Sequence, residues 1–304
     1  MTIEKSPFDK NTGSVPHHLE AGSFDDRVRG ISMTVHIDPI LVELGPIRLS
    51  WYGLMYVFGF TASYLLVRYQ MKKKDFGISK PEVENLYFYL IVGLMAGARL
   101  GYVLFYDLKI YLADPLEILA IWHGGMSFHG GLIGVLAVGI LFSWKNRKSF
   151  WRIADLIIVT VPIGLGLGRI GNFINGELYG RVTQIPWGMI FPKAGPLPRH
   201  PSQLYESGLE GGVLFLILWF IKDKKVPTGG LLALFLLFYG IFRFFVEFFR
   251  EPDVQLGFVW GPFTMGQVLC AFMIGGGAVL LIYFKRKNGP FPQKPFRKTE
   301  GKRI

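Results

Sequence analysis

The sequence predicts an all-α integral membrane protein of seven transmembrane helices, with its amino terminus outside the membrane and its carboxyl terminus in the cytoplasm. Three observations carry this expectation. Of the 304 residues, 51% are hydrophobic and only 18% charged, with a mean hydropathy of +0.35, whereas a soluble chain has about a quarter of its residues charged. Seven apolar runs approach the roughly 20 residues that cross a hydrocarbon core about 30 Å thick. The basic residues between those runs alternate between dense and sparse segments, as the positive-inside rule requires.

Taken in chain order, the runs are 49–68, 85–106, 126–144, 153–173, 204–221, 229–249 and 264–284. A shorter stretch, 115–122, cannot span and reads as a helical turn at the interface. Residues 1–48 form an extracytoplasmic extension without an apolar signal region, so the first span directs insertion. Residues 49–284 form the membrane domain, and the Lys-, Arg- and Pro-rich residues 285–304 read as a disordered cytoplasmic tail. Segments 69–84, 145–152, 222–228 and the tail hold 19 of the 33 Lys and Arg. The formal charge of +11 is therefore mostly a topology signal, and nucleic acid drops out as a partner. The single cysteine, Cys270, excludes an internal disulfide framework and a Cys-rich metal site.

A charged side chain inside a span costs about 2.5–3.5 kcal/mol on insertion scales, so clustered intramembrane charges call for a function. In the sixth run, Tyr239, Arg243, Glu247 and Arg250 fall within roughly 80° of one helix face. At the end of the fourth run, Gly166, Gly168 and Gly171 match the dinucleotide fingerprint spacing only by accident, because no strand precedes them. These small residues favour close helix packing and an unwound backbone around an anion. Arg169, Asn172, Asn175 and Glu177 follow where the chain leaves the bilayer. His123 and His129 open the third run, Tyr52 the first, and Glu206 and Glu210 the fifth, while Arg99 lies within the second. With odd-numbered runs directed inward and even-numbered runs outward, Tyr52, His129, Glu206, Arg169, Arg243 and Arg250 converge on the outer half of the bilayer. Four arginines (99, 169, 243 and 250) with few matching carboxylates suit a phosphate, which Arg binds bidentately. At that depth the phosphate belongs to a lipid headgroup. No ligand constellation for a metal stands out.

At these residues the chain resembles the bacterial prolipoprotein diacylglyceryl transferases. The run from Gly168 and Arg169 through Asn172, Asn175 and Glu177 to Gly180 is similar to the signature of that family. The resemblance extends to Trp51-Tyr52-Gly53, to Ala98 through Tyr102, to Gly125 through Gly131, to Arg199 through Glu206, and to Tyr239 through Asp253, covering about 36–284. Met33 stands where family chains begin, which marks 1–32 as a candidate mis-assigned start. The resemblance implies transfer of a diacylglyceryl group from phosphatidylglycerol to the lipobox cysteine thiol of a prolipoprotein signal peptide, with release of glycerol phosphate and without a cofactor. It places the protein in the bacterial cytoplasmic (inner) membrane with its site facing the outer half of the bilayer. It implies that Arg169 and Arg243 hold the phosphate and that Glu247 orients Arg243. His129 is the preferred thiol base, with Glu206 the alternative. Tyr52, Asn172, Asn175, Glu177, Gly180, Tyr239, Arg99 and Arg250 would complete the substrate site. Cys270 is not the nucleophile, since the reactive thiol belongs to the substrate, and transfer is expected in one displacement. The competing class is an anion or lipid transporter lined by the buried arginines. It requires polar groups continuing to the cytoplasmic face, where the runs are nearly all apolar.

Overall fold

The computed structural model describes residues 33–45, 47–105, 108–120, 124–252, 258–261 and 263–288. The expected extension 1–32, the tail beyond Asn288, His123 and Asp253 lie outside the described residues.

The described chain begins with short strands the apolar pattern did not predict: β1 (Met33–Thr34), β2 (Ile40–Leu44) and β3 (Ile47–Ser50), the last two paired antiparallel. Helix α1 (Trp51–Lys73) starts where the Ser50 hydroxyl accepts the Gly53 N–H at 3.1 Å, supplying one of the partners a helix start lacks. Helices α2 (Lys80–Phe105) and α3 (Leu108–Ala113) follow, and then a 3₁₀ turn over Pro115–Leu119, where an interfacial turn was expected. Helix α4 (Phe128–Lys145) is capped by Ser127.

The fourth apolar run is not one straight helix. It divides into α5 (Phe150–Ile158) and α6 (Val161–Ile174), bent by 47°. Pro162 accounts for the break, since it has no N–H to donate and its ring crowds the preceding turn. The expected unwinding at the glycines of 164–171 is absent, because α6 continues through them. The fifth run is α7 (Ser202–Glu206), a π-helical segment (Ser207–Val213) and α8 (Leu214–Ile221). Helices α9 (Gly230–Val246) and α10 (Met265–Asn288) complete the bundle, with strands β4 (Met189–Ile190), β5 (Phe258–Trp260) and β6 (Phe263–Thr264) in the connections.

Helix covers most of each expected run, but fewer than seven meet the demands of a bilayer by length and composition. Among the described residues, Lys80–Phe105, Phe128–Lys145, Ser202–Ile221 and Met265–Lys287 are long and apolar enough, and the bent α5–α6 pair makes a fifth if it counts as one span. Helix α9, with 17 residues, reaches only about 25 Å. The protein is thus a multi-pass helical membrane protein with four or five spans on these criteria.

Packing follows small residues. Gly93, Gly97 and Gly101 on α2 face Gly130 and Gly134 on α4, and a Cβ at Gly97 would lie 2.5 Å from the Gly130 carbonyl oxygen. In lipid, where burial of apolar surface gives helices little reason to associate, such close backbone approach supplies the dispersion contacts that hold a pair together. Helix α1 packs on α6 and α9 on α10. Two apolar clusters fill the bundle: one joins Val67, Val83, Leu86, Leu90 and Leu156, the other Val159, Leu214, Leu218, Leu231 and Phe235. The β segments gather at one end, where β1 pairs with β4 and Gly180 bridges Arg250. At the opposite end Asp155 on α5 accepts the Gly229 and Leu232 N–H groups at 2.6 and 3.1 Å, fixing the start of α9.

Candidate active site

The end of α6, α7 and the last turn of α9 bring together residues that are far apart in sequence. Glu206, the last residue of α7, is fully buried and forms the hub. Its Oε2 lies 2.5 Å from Arg169 Nε and its Oε1 accepts from Arg243 NH1 at 2.8 Å, with Arg250 NH1 3.8 Å away. Arg243 also pairs with Glu247 one turn later at 2.7 Å, the partner expected from their spacing of four. Glu210, in the π segment, stands 3.9 Å from Arg243. Three guanidinium groups therefore meet three carboxylates, which corrects the expectation of an arginine cluster with few acids to match. The helical stripe on α9 was visible in the sequence, but the face on which the fifth run carries its acids was not.

The arrangement is layered rather than mixed. The side chains of Glu206, Glu210 and Glu247 are 0%, 1% and 7% exposed, whereas those of Arg243, Arg250 and Arg169 are 12%, 12% and 22% exposed. Carboxylates lie behind and guanidinium edges in front, so the accessible side of a nearly neutral cluster is positive. Burying these charges is tolerable only because they offset one another, Glu210 by charge alone, since among the described residues neither of its oxygens has a hydrogen-bond partner. The acids also hold the arginine forks in place, so a bound anion need not order them.

Neighbouring residues extend this face. Asn172 and Asn175 donate through Nδ2 to Glu177 Oε1 at 2.9 and 3.2 Å, and Arg169 NH1 reaches Asn172 Oδ1 at 3.5 Å. The turn after Glu177 places Leu178 at φ +55°, a strained conformation for a leucine. Two buried side chains from the start of α7 hold it: Gln203 donates to the Glu177 carbonyl at 2.6 Å and Ser202 to the Leu178 carbonyl at 3.1 Å. Gly180 follows, with its N–H on the His200 carbonyl at 2.8 Å. A Cβ there would lie 2.6 Å from the His200 Cβ, so the strand can pass only as glycine. Tyr52 rests on Gly171, where a Cβ would come within 2.7 Å of its ring, and its hydroxyl meets that of Tyr56 at 3.3 Å. Tyr239 stacks on Phe235 and lies among the charges of Glu210, Arg243 and Arg169.

Two expected site residues stand apart. Arg99 is buried, but its fork is taken up by backbone carbonyls of the 115–125 segment: Nε by Ile118, NH1 by Gly124 and Gly125, and NH2 by Glu117 and Ala120. It staples that segment to α2 and does not join the other arginines, because α2 packs on α4 and not on α6 or α9. His129, in the first turn of α4, is exposed, with its ring edge-on to Phe128. Among the described residues it makes no hydrogen bond or ion pair with the arginine cluster.

Thr264 is a site residue that the apolar runs concealed. Its hydroxyl donates to Glu247 Oε1 at 2.9 Å and accepts the Gln267 N–H at 3.3 Å, while Gln267 Oε1 takes the Thr264 N–H. This is a capping box, and its Thr-x-x-Gln spacing before an apolar run was the available signal. Gly266 leaves room for the same carboxylate, since a Cβ there would lie 2.6 Å from Glu247 Oε1. Near the outer edge of the site, partial burial lowers the His200 pKa, and its Nδ1 lies 3.3 Å from the Tyr205 hydroxyl, which accepts the Trp187 indole N–H at 2.8 Å. Among the described residues no group of His, Cys, Asp and Glu could hold a metal ion.

Residues 39–283 match the family of prolipoprotein diacylglyceryl transferases. A phosphatidylglycerol–prolipoprotein diacylglyceryl transferase of Geobacter sulfurreducens is 51% identical over 84% of this chain and 98% of its own length. Its namesake in Desulfotalea psychrophila is 55% identical over 80% and 92%, and that of Aliivibrio fischeri 49% over 88% and 97%. With the family match spanning most of the chain and relatives this similar over nearly their whole length, the chain belongs to the prolipoprotein diacylglyceryl transferase family.

Proposed function

We propose that this protein transfers the diacylglyceryl group of phosphatidylglycerol to the lipobox cysteine thiol of a prolipoprotein signal peptide, with the buried arginine cluster as the headgroup site. The layering of carboxylates behind guanidinium edges carries this reading. In the reaction the cysteine sulfur forms a bond to the glyceryl carbon that bears the phosphate ester, the carbon–oxygen bond of that ester breaks, and glycerol phosphate leaves with the electron pair. Arg169 and Arg243 bind the phosphate oxygens, and their fixed positive edge offsets the charge that grows on the departing oxygen. Arg250 adds charge beside them, and Glu247 keeps Arg243 in position. Tyr52, Asn172, Asn175, Glu177, Gly180 and Tyr239 shape the space around the headgroup.

A free thiol has a pKa near 8.5, so little thiolate exists at neutral pH and a base speeds attack. Glu206 is poorly placed for that task, being fully buried with its oxygens on Arg169 and Arg243. The resemblance to the family favours His129, exposed at the start of α4, as the base. In this reading the seven helical runs all cross the bacterial inner membrane, with the amino terminus outside, the carboxyl terminus in the cytoplasm and the site open toward the outer half of the bilayer. The apolar clusters around Leu86 and Leu214 lie in the bundle where a transport pathway would need polar groups.

The test incubates purified protein with phosphatidylglycerol vesicles and a lipobox peptide, and measures thioether-linked lipid and released glycerol phosphate. One molecule of each per turnover is expected, with loss in Arg169→Ala and His129→Gln. An unmodified peptide with the wild type, or full activity in Arg169→Ala, would overturn the proposal.

A further inference from the structure

At the end of the bundle remote from the arginine cluster, the end of α1, the end of α8 and the start of α9 surround a partly open pocket that the transfer reaction does not use. Its rim carries Lys73, Lys74, Lys222 and Lys224, and its wall Tyr69 and Asp155. Tyr69 and Trp219 stack with centroids 5.9 Å apart, Lys73 Nζ lies 4.7 Å from the Tyr69 ring centre, and Lys222 Nζ lies 4.1 Å from that of Trp219. Two nearby acids, Asp155 and Asp223, offset part of the charge of the four lysines. Asp155 is occupied by the amides that start α9, and Asp223 pairs with Lys222 while its side chain remains 70% exposed. The rim is therefore net basic.

We infer that this pocket binds the phosphate of an anionic phospholipid in the leaflet opposite the catalytic one. Four lysines from two separate chain segments converge there, flanked by an aromatic pair of the kind that settles at headgroup depth. Phe220, 69% exposed beside Trp219, presents apolar surface to acyl chains, which favours a lipid over a soluble phosphate ester. Lysine ammoniums suit this role because they act as mobile point charges and do not demand one phosphate geometry. Bound lipid would tie α1 to the α8–α9 connection, beside the direct Tyr69–Trp219 stack.

The experiment uses the full chain in vesicles containing a fixed fraction of brominated phosphatidylglycerol or brominated phosphatidylcholine, and reads Trp219 quenching as the difference between wild type and Trp219→Phe. Stronger quenching by the anionic lipid is expected. Each substitution, Lys73→Gln and Lys224→Gln, should lower that preference about fivefold, the usual worth of one lysine at an anionic surface. Neither lysine touches the arginine cluster, so transfer activity should persist and certify the fold. Equal quenching by the two lipids, or an unchanged preference in the Lys73→Gln/Lys224→Gln double variant, would overturn the inference. So would complete displacement by soluble glycerol phosphate that chloride at equal ionic strength does not reproduce.

Discussion

Arg99 and Arg169 are both guanidinium groups inside the helix bundle, but their surroundings give them different capacities. Arg99 directs its N–H groups to five backbone carbonyls and is 3% exposed, so no donor remains for a ligand. Arg169 is held by Glu206 and Asn172, and its side chain is 22% exposed. Carbonyls satisfy an arginine by surrounding it, whereas a carboxylate can hold one from behind. An intramembrane arginine therefore marks a binding site only when part of its fork is left unfilled.

Substitutions on the two sides of this contrast should separate. Arg243→Ala is expected to have the largest effect. It removes the guanidinium partner of Glu247 and Glu210 and one of the two close partners of Glu206, which should destabilise the fold by about 3–5 kcal/mol and lower transfer at least 100-fold. Thermal unfolding in detergent and the peptide assay would show both losses together. Arg99→Ala should cost on the order of 3 kcal/mol through the abandoned buried carbonyls, while transfer per folded molecule stays near wild type. Loss of transfer without loss of stability in Arg99→Ala would break the contrast. Thr264→Val removes the hydroxyl that steadies Glu247 and should cost about 1 kcal/mol, with a rise in KM for phosphatidylglycerol larger than the fall in kcat.

The smallest effect concerns pH. Burial lowers the His200 pKa in the folded protein, so the unfolded chain binds protons more readily near the ordinary histidine value of about 6.5. Stability should then fall as pH drops through that value toward the folded one. His200→Gln should flatten the dependence of Tm on pH between 7 and 5.5, read by thermal scans at each pH.

Much of this architecture could be read from the sequence, for identifiable reasons. Apolar runs bounded by charge report helix positions well, because an unpaired backbone is so costly in lipid. The Arg243–Glu247 pair was legible because both lie on one helix, where spacing fixes direction. Glu206 as the hub was not, because helical periodicity within the fifth run says nothing about which neighbour its acids will meet. The same limit grouped Arg99 with the other arginines, since matching depth does not imply adjacency. The bend before Pro162 had a local signal, but the β ribbons had little, as two- to five-residue strands leave no period to detect.

The π segment between Glu206 and Leu214 accommodates one residue more than an α-helical turn would. Ahead of it stands the acid that anchors two arginines, and behind it are Leu214 and Leu218, locked into the apolar core. Deleting one residue from Ser207–Val213 could restore an ordinary α-helical pitch without introducing a single unfavourable side chain. A π turn holds one residue more than an α turn, so the loss would be absorbed locally and Glu206 would stay close to Arg169 and Arg243. Over generations, such a segment could lose one residue more safely than the straight helices beside it.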